Sequence, residues 1–196
     1  MKSKENYYET SVCYFSKPGP SNTQLVLECV NKRAKELGVK EVIVASVTGA
    51  SALKAREILA PDIHLITVTH VAGFEKPDHQ ELSPEIREKL LSSRINVLTA
   101  QHAFGGVGRS IRKQLGTYQV DEIMAYTLRI FGHGTKVAIE LALMAADAGL
   151  VRTDHDVISI GGTGTGLDTA LVLQPSNSAD FLRLKVREII CKPSKF

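Results

Sequence analysis

Short β-branched runs alternate along this chain with longer stretches of helical period, and that alternation restricts the fold to a mostly parallel sheet covered by helices. The clearest run is EVIVA at 41–45, typical of a strand buried on both faces. Residues 11–15, 63–68, 95–98, 157–160 and 169–173 read as further strands. The link between the last two is too short for a helical crossover, so that pair is expected to be antiparallel. The tail, 181–191, suits either a helix or an edge strand.

Helices fill the intervals. Asn22 is placed to cap a helix whose Val26, Leu27, Val30, Ala34 and Leu37 share one face and which Gly38 stops. A second helix turns Leu53, Ile58 and Leu59 inward. Ser83-Pro84-Glu85 combines a capping hydroxyl, proline at the first helical position and an acid at the positive helix end. Residues 109–148 read as helical through most of their length, with a break at Gly132-His133-Gly134. Val120, Ile123, Met124, Thr127, Leu128 and Phe131 keep the helical period before that break. Residues 135–148 are apolar nearly all round, as in a central buried helix. The polar connection 72–82 is long enough to be a lid or ligand-covering loop. No repeat or boundary divides 1–196, which is expected to be a single domain.

Composition excludes several function classes. A formal net charge of +3 with scattered basic residues gives no nucleic-acid face, and Lys32, Arg33 and Lys35 read as the solvated side of one helix. Cys13, Cys29 and Cys191 form no CxxC pair, which excludes a disulfide framework or a thiolate zinc site. No apolar run approaches the roughly 20 residues of a membrane span. The polar N-terminal stretch, 1–10, lacks the apolar segment of a signal peptide, so the expected location is the cytoplasm. No His-x-x-x-His or acidic cluster offers metal-ligand spacing, and no GxSxG marks a hydrolase nucleophile.

Three loops of small residues follow three of the strands, and such loops gather at the carboxyl edge of a parallel sheet. The first, Ser46, Val47, Thr48, Gly49, Ala50 and Ser51, runs from strand into helix, where N–H groups and hydroxyls can seat a phosphate. A capped helix start without a ligand would read the same. Gly49→Asp is expected to abolish phosphate binding by adding charge and bulk. The second loop holds Gln101, His102, Ala103, Phe104, Gly105 and Gly106, and the third holds Gly161, Gly162, Thr163, Gly164, Thr165 and Gly166. The third is neither a P-loop nor a dinucleotide fingerprint. Its glycine content suggests a ligand lying close to the backbone, or a structural turn. Arg109 opens a helix, placed for a second anionic group or as a surface arginine. His70, His102 and His133 stand at loop positions, as ligand contacts, as acid or base groups, or as local hydrogen bonders. No catalytic residue is identified.

Segment 42–59 (VIVASVTGASALKAREIL) resembles the strand, Ser/Thr-Gly loop and helix of the pyruvate kinase C-terminal domain, and 156–173 resembles the end of that domain. In pyruvate kinases the Ser/Thr-Gly loop belongs to the pocket for a regulatory sugar phosphate. A stand-alone prokaryotic family, the pyruvate kinase C-terminal-domain-like proteins, resembles the chain more closely. The resemblance lies in PGPSNT (18–23), VTHVAGF (68–74), QHAFGGVGRSI (101–111), MAADAGL (144–150) and IGGTGTGLDTALVL (160–173). It implies a three-layer α/β/α fold with a mixed, mostly parallel five-stranded sheet whose last strand is antiparallel. It implies FMN as cofactor, with the phosphate at the Ser/Thr-Gly loop and a planar ring against Gly161, Gly162, Thr163 and Gly164. His70, Gly73, His102, Gly105, Gly106 and Arg109 would line the remaining wall, with Asn22 and Thr23 contributing from the same edge. Pyruvate kinase activity is not implied, since the catalytic barrel has no counterpart here. Nor is the kinase's activator, because 161–166 replaces the residues that would contact it. Three functions follow: a protein binding a phosphorylated small molecule, foremost FMN, and acting as an oxidoreductase; a non-catalytic sensor of a sugar phosphate or nucleotide; or a structural subunit whose helix 135–148 marks an assembly core. Homo-oligomerisation fits each.

Overall fold

The structure, a computed structural model, describes residues 7–196. The N-terminal stretch read above as carrying no signal segment therefore lies mostly outside the described residues. The elements in chain order are β1 (Cys13–Phe15), α1 (Thr23–Leu37), β2 (Glu41–Ala45), α2 (Ala50–Ile58), β3 (His64–Thr69), α3 (Pro84–Ser92) and β4 (Ile95–Thr99). Then come α4 (Val107–Leu115), α5 (Val120–Arg129), α6 (His133–Asp147), β5 (Val157–Gly161), β6 (Thr169–Gln174) and β7 (Lys185–Pro193). The sheet order is β1-β7-β6-β5-β2-β3-β4.

Every neighbouring pair is parallel except β5–β6 and β6–β7, so β6 alone runs against the rest. The expected antiparallel pair is present. Among the described residues the strand count is seven rather than five, and the antiparallel strand is the penultimate one. The reason is the tail: after a 3-10 turn at Ser178–Arg183 it pairs along the open edge of β6, and β1 then adds to β7.

The central strand shows how the pattern builds the layers. Val42 and Val44 point to one face, packed with Val26, Leu27 and Val30 of α1 and with Ala52 and Ala55 of α2. Ile43 points to the other, packed with Ala138, Leu141, Ala142 and Ala145 of α6. All three are fully buried, each contributing about 1.5–3 kcal/mol relative to exposure. Helices α1, α2 and α3 thus cover one face, and α5 and α6 the other.

Several local expectations hold and others need correction. Ser83 caps α3 by accepting from the Ile86 N–H at 3.3 Å, and Gly38 ends α1 at φ 71°. Asn22 makes no capping bond; its side-chain amide donates to the Lys17 carbonyl at 2.8 Å. On α2 the fully buried positions are Ala52 and Ala55, while Leu53 and Ile58 are only half-buried. Residues 109–148 hold a second break, at Gly116 (φ 71°), because its left-handed backbone ends α4. Helix α6 is buried as expected, but Val120, Ile123 and Phe131, which share the helical period of α5, are more than half exposed. Periodicity fixes a helix's apolar face and leaves open whether anything covers it. No helix among the described residues is long and apolar enough to cross a membrane.

Candidate functional site

Because β1 to β5 are parallel, their carboxyl ends share one edge, and the loops singled out in the sequence converge there. A cleft of about 880 Å³ is lined by Ser46, Val47, Thr48, Ala50, Ser51 and Lys54 on one side and by Gly162, Gly164, Thr165 and Gly166 on the other. Pro20, Thr23, His70, Glu75, Glu81 and Val137 complete it.

The first wall is a helix start with donors to spare. Ser46 is buried, and its Oγ accepts the Ala52 N–H at 3.2 Å, while the Leu53 N–H bonds to the Gly49 carbonyl. The N–H groups of Ala50 and Ser51, in the first turn of α2, have no intrahelical acceptor and lie on the cleft. The positive helix end and the hydroxyls of Thr48 and Ser51 add to their attraction for an anion. Gly49 adopts φ 89°, and a Cβ there would overlap Ile86 of α3. A side chain at 49 would therefore enter the core, and Gly49→Asp would report on folding before it reported on binding.

The glycines of the third loop have separate structural reasons. A Cβ on Gly161 would overlap the Gly134 carbonyl of α6, one on Gly162 the Gly166 carbonyl, and one on Gly166 would overlap Pro20. Gly164 has open space but φ 74°. Close packing and left-handed backbone account for all four, so the glycine content does not itself require a ligand. The loop is pinned by Asp168, a fully buried residue absent from the sequence-based site. Its carboxylate accepts from Gly19 N–H (3.1 Å), Thr163 N–H (3.0 Å) and Thr169 Oγ1 (2.8 Å), tying β1, β5 and β6 together at this edge. Thr23 contributes by accepting the Leu167 N–H through Oγ1 at 3.0 Å.

The remaining predicted wall divides. His70 faces the large cleft, whereas Gly73, His102, Gly105, Gly106 and Arg109 line a neighbouring one of about 310 Å³ with Phe74 and Lys113. Three rings cluster where the clefts meet: Phe74 lies 3.9 Å from His70, tilted, and 5.0 Å from His102, stacked, while the two imidazoles are 5.4 Å apart, centroid to centroid, and the Arg109 guanidinium is 4.5 Å from the Phe74 centroid. Asn22, Gly49, Gly161 and Thr163 line neither cleft, and His133 is exposed at the start of α6.

Beneath the smaller cleft is a buried charge cluster that the sequence reading missed. Glu140 pairs with Lys136 one turn earlier on α6, accepts the Phe104 N–H at 2.9 Å, and lies 3.7 Å from His102 Nδ1. Burial pushes the Glu140 carboxyl up, but His102 and Lys136 outweigh it and hold the group down at about 2. Burial pushes the Lys136 ammonium below its usual range, partly offset by Glu140. A lysine and a glutamate four apart in an otherwise apolar helix was the available signal.

A larger cleft, about 1140 Å³, is at the opposite edge of the sheet. Most of its charges are already paired: Arg33 binds Glu36 and Glu188, Tyr8 binds Glu188, His155 binds Glu41, and Lys40 binds Asp62. The carboxyl-edge cleft, with donors left over, is the better site for an anion. Among the described residues no group of three His, Cys, Asp or Glu is placed to hold a metal ion.

Comparison with known proteins gives one matching family model, described as pyruvate kinase, alpha/beta domain, over residues 24–173. Among solved structures the chain is similar to Cryptosporidium parvum pyruvate kinase in complex with ADP, with 15% identity and a TM-score of 0.38. That match covers 89% of this chain and 25% of the kinase chain, so the chain spans about a quarter of that protein's length.

Proposed function

This chain belongs to the pyruvate kinase alpha/beta domain family, and from that premise we propose that it binds a phosphorylated small molecule, foremost FMN, at the carboxyl edge of its sheet, in the cytoplasm. The observation carrying the phosphate assignment is the shared cleft: the α2 start at Ala50 and Ser51 and the 162–166 loop face each other across one space. Its volume is within the range of pockets that enclose ligands of this size. FMN is favoured by the resemblance of segments 18–23, 68–74, 101–111 and 160–173 to the stand-alone proteins. Bound there, FMN would supply redox chemistry, making the protein an oxidoreductase. The chain's own part is to seat the phosphate with Thr48, Ala50 and Ser51 and to confine the rest between Val47, Val137 and Gly162.

Purified protein should show a visible flavin spectrum, or take one up when FMN is added. FMN at a hundredfold excess over its Kd should stabilise the fold by about 2.7 kcal/mol, which for a chain of this size raises Tm by roughly 5–10 °C. Ala50→Asp isolates the seat. An acid in the first turn suits the helix dipole, so the fold should persist while affinity falls at least about tenfold through like-charge repulsion. Unchanged affinity would remove the α2 start from the site. A colourless protein that responds only to sugar phosphates or other nucleotides would instead be the non-catalytic sensor.

Self-association is part of the same proposal. Val120, Ile123, Ile130 and Phe131 expose 73%, 53%, 68% and 52% of their surface along α5 and just past its end, apolar surface that a second copy would cover. Sedimentation should show a dimer or larger species that Ile123→Glu reduces to monomer; a monomeric parent protein removes this element.

A further inference from the structure

An anion seat is usually lined by positive charge, and this cleft has one lysine against two glutamates. Lys54 of α2 faces Glu75 and Glu81 from the β3–α3 connection, with His70 beside them at the end of β3. With a neutral imidazole the lining is net negative. His70 is the one group placed to change that. Its Nδ1 is 2.8 Å from Glu81 Oε1, whose side chain is 9% exposed and whose Oε2 is buried without a hydrogen-bond partner among the described residues. The ring rests on Phe74, which limits its rotation. With Nδ1–H held by Glu81, Nε2 is the nitrogen left for a ligand. Neutral, it can only accept a hydrogen bond; protonated, it donates one to a phosphate oxygen.

We propose that His70, oriented by Glu81, takes up a proton as a phosphate monoester enters the cleft, and that the site thereby selects dianionic monoesters over monoanionic phosphodiesters. The proposal rests on the reading of this cleft as a phosphate seat. Glu81, Glu75 and an incoming dianion favour the imidazolium. Lys54, the Arg109 guanidinium over Phe74, and His102, whose ring centroid is 5.4 Å away, oppose it. Glu140 gives His70 little help, because Lys136 already neutralises it. A second negative charge on the ligand tips this balance, and esterifying that oxygen removes it.

Calorimetry of FMN binding at about pH 7.5 and at a series of higher pH values tests this in buffers of low and high ionisation enthalpy. The FMN phosphate, with a second pKa near 6, is already dianionic there. The observed heat should vary with the buffer, with a slope approaching one proton taken up per ligand. Affinity should fall as pH rises through that series, by up to about tenfold per pH unit. His70→Asn should still bind, more weakly and with a slope near zero; Glu81→Gln should lower the slope. The monoester should bind at least about tenfold more tightly than its methyl ester. Binding without buffer-dependent heat, or an unchanged slope in His70→Asn, overturns the proposal and leaves the seat intact. Failure of both FMN and sugar phosphates to bind overturns the seat, and the proposal with it.

Discussion

Replacing Gly161 with alanine is expected to destabilise the fold by about 3 kcal/mol or more, the upper part of the range for overpacking a core. Gly161 ends β5, is fully buried, and pairs with Thr169 of the antiparallel neighbour. A Cβ there would overlap the Gly134 carbonyl oxygen and come within 2.9 Å of the Ala138 nitrogen, both on the backbone of α6. No rotamer change relieves such a contact; the helix must move off the sheet. The helix side of the same contact is equally close, since a Cβ on Gly134 would overlap Thr169 of β6. Gly164→Ala is the control. Its only obstacle is φ 74°, a cost of about 1–2 kcal/mol. Urea melts of the two variants check the account. If Gly164→Ala is the more damaging, or Gly161→Ala is harmless, close packing does not explain this loop.

Glu140→Gln is expected to cost about 3–5 kcal/mol, as when one partner of a buried ion pair is removed. The glutamine can still accept from the Phe104 N–H, but Lys136, 6% exposed, is left with an unneutralised charge. For a chain of this size Tm should fall by roughly 6–20 °C. The double variant Lys136→Met/Glu140→Leu should recover part of that loss, because paired hydrophobic replacement removes the orphan charge but leaves the Phe104 N–H without its acceptor. A single variant as stable as the parent protein would show that the pair does not hold the 102–106 loop. The acid limb gives an independent check. The Glu140 carboxyl is held down at about 2, below its unfolded value of about 4.3. Its stabilisation is therefore complete above the unfolded value and lost as pH falls from about 4 through 2. Glu140→Gln should flatten that part of the stability profile.

The layered fold was legible because local chemistry specifies it. EVIVA has the composition of a strand covered on both faces, Ser83-Pro84-Glu85 starts a helix by capping and dipole alone, and the short link before residue 169 leaves no room for a crossover. The candidate cleft was half legible. Loops 46–51 and 161–166 were identifiable from small residues after strands, and they do face each other. The same reasoning placed Gly161 and Thr163 at a ligand, whereas Gly161 is pressed against α6 and the Thr163 amide is held by Asp168. It also merged His70 and His102 into one wall; their rings are neighbours with Phe74 against both, but they line different clefts.

The sequence by itself determined most of the strands and helices, though not the tail strand or the break at Gly116, and that most strands are parallel, hence that their loops meet at one edge. Those properties follow from periodicity, capping and connection length, all read within a few residues. Tertiary structure alone decided which donors remain unused, which glycines are pressed against neighbouring backbone, which carboxylates face His70 and His102, and that the apolar surface of α5 is uncovered. Each of these depends on groups distant in the chain brought within a few ångströms, such as Glu81 with His70 or Gly19 with Asp168. A hydrogen bond or an overlap is set by that distance and by nothing local.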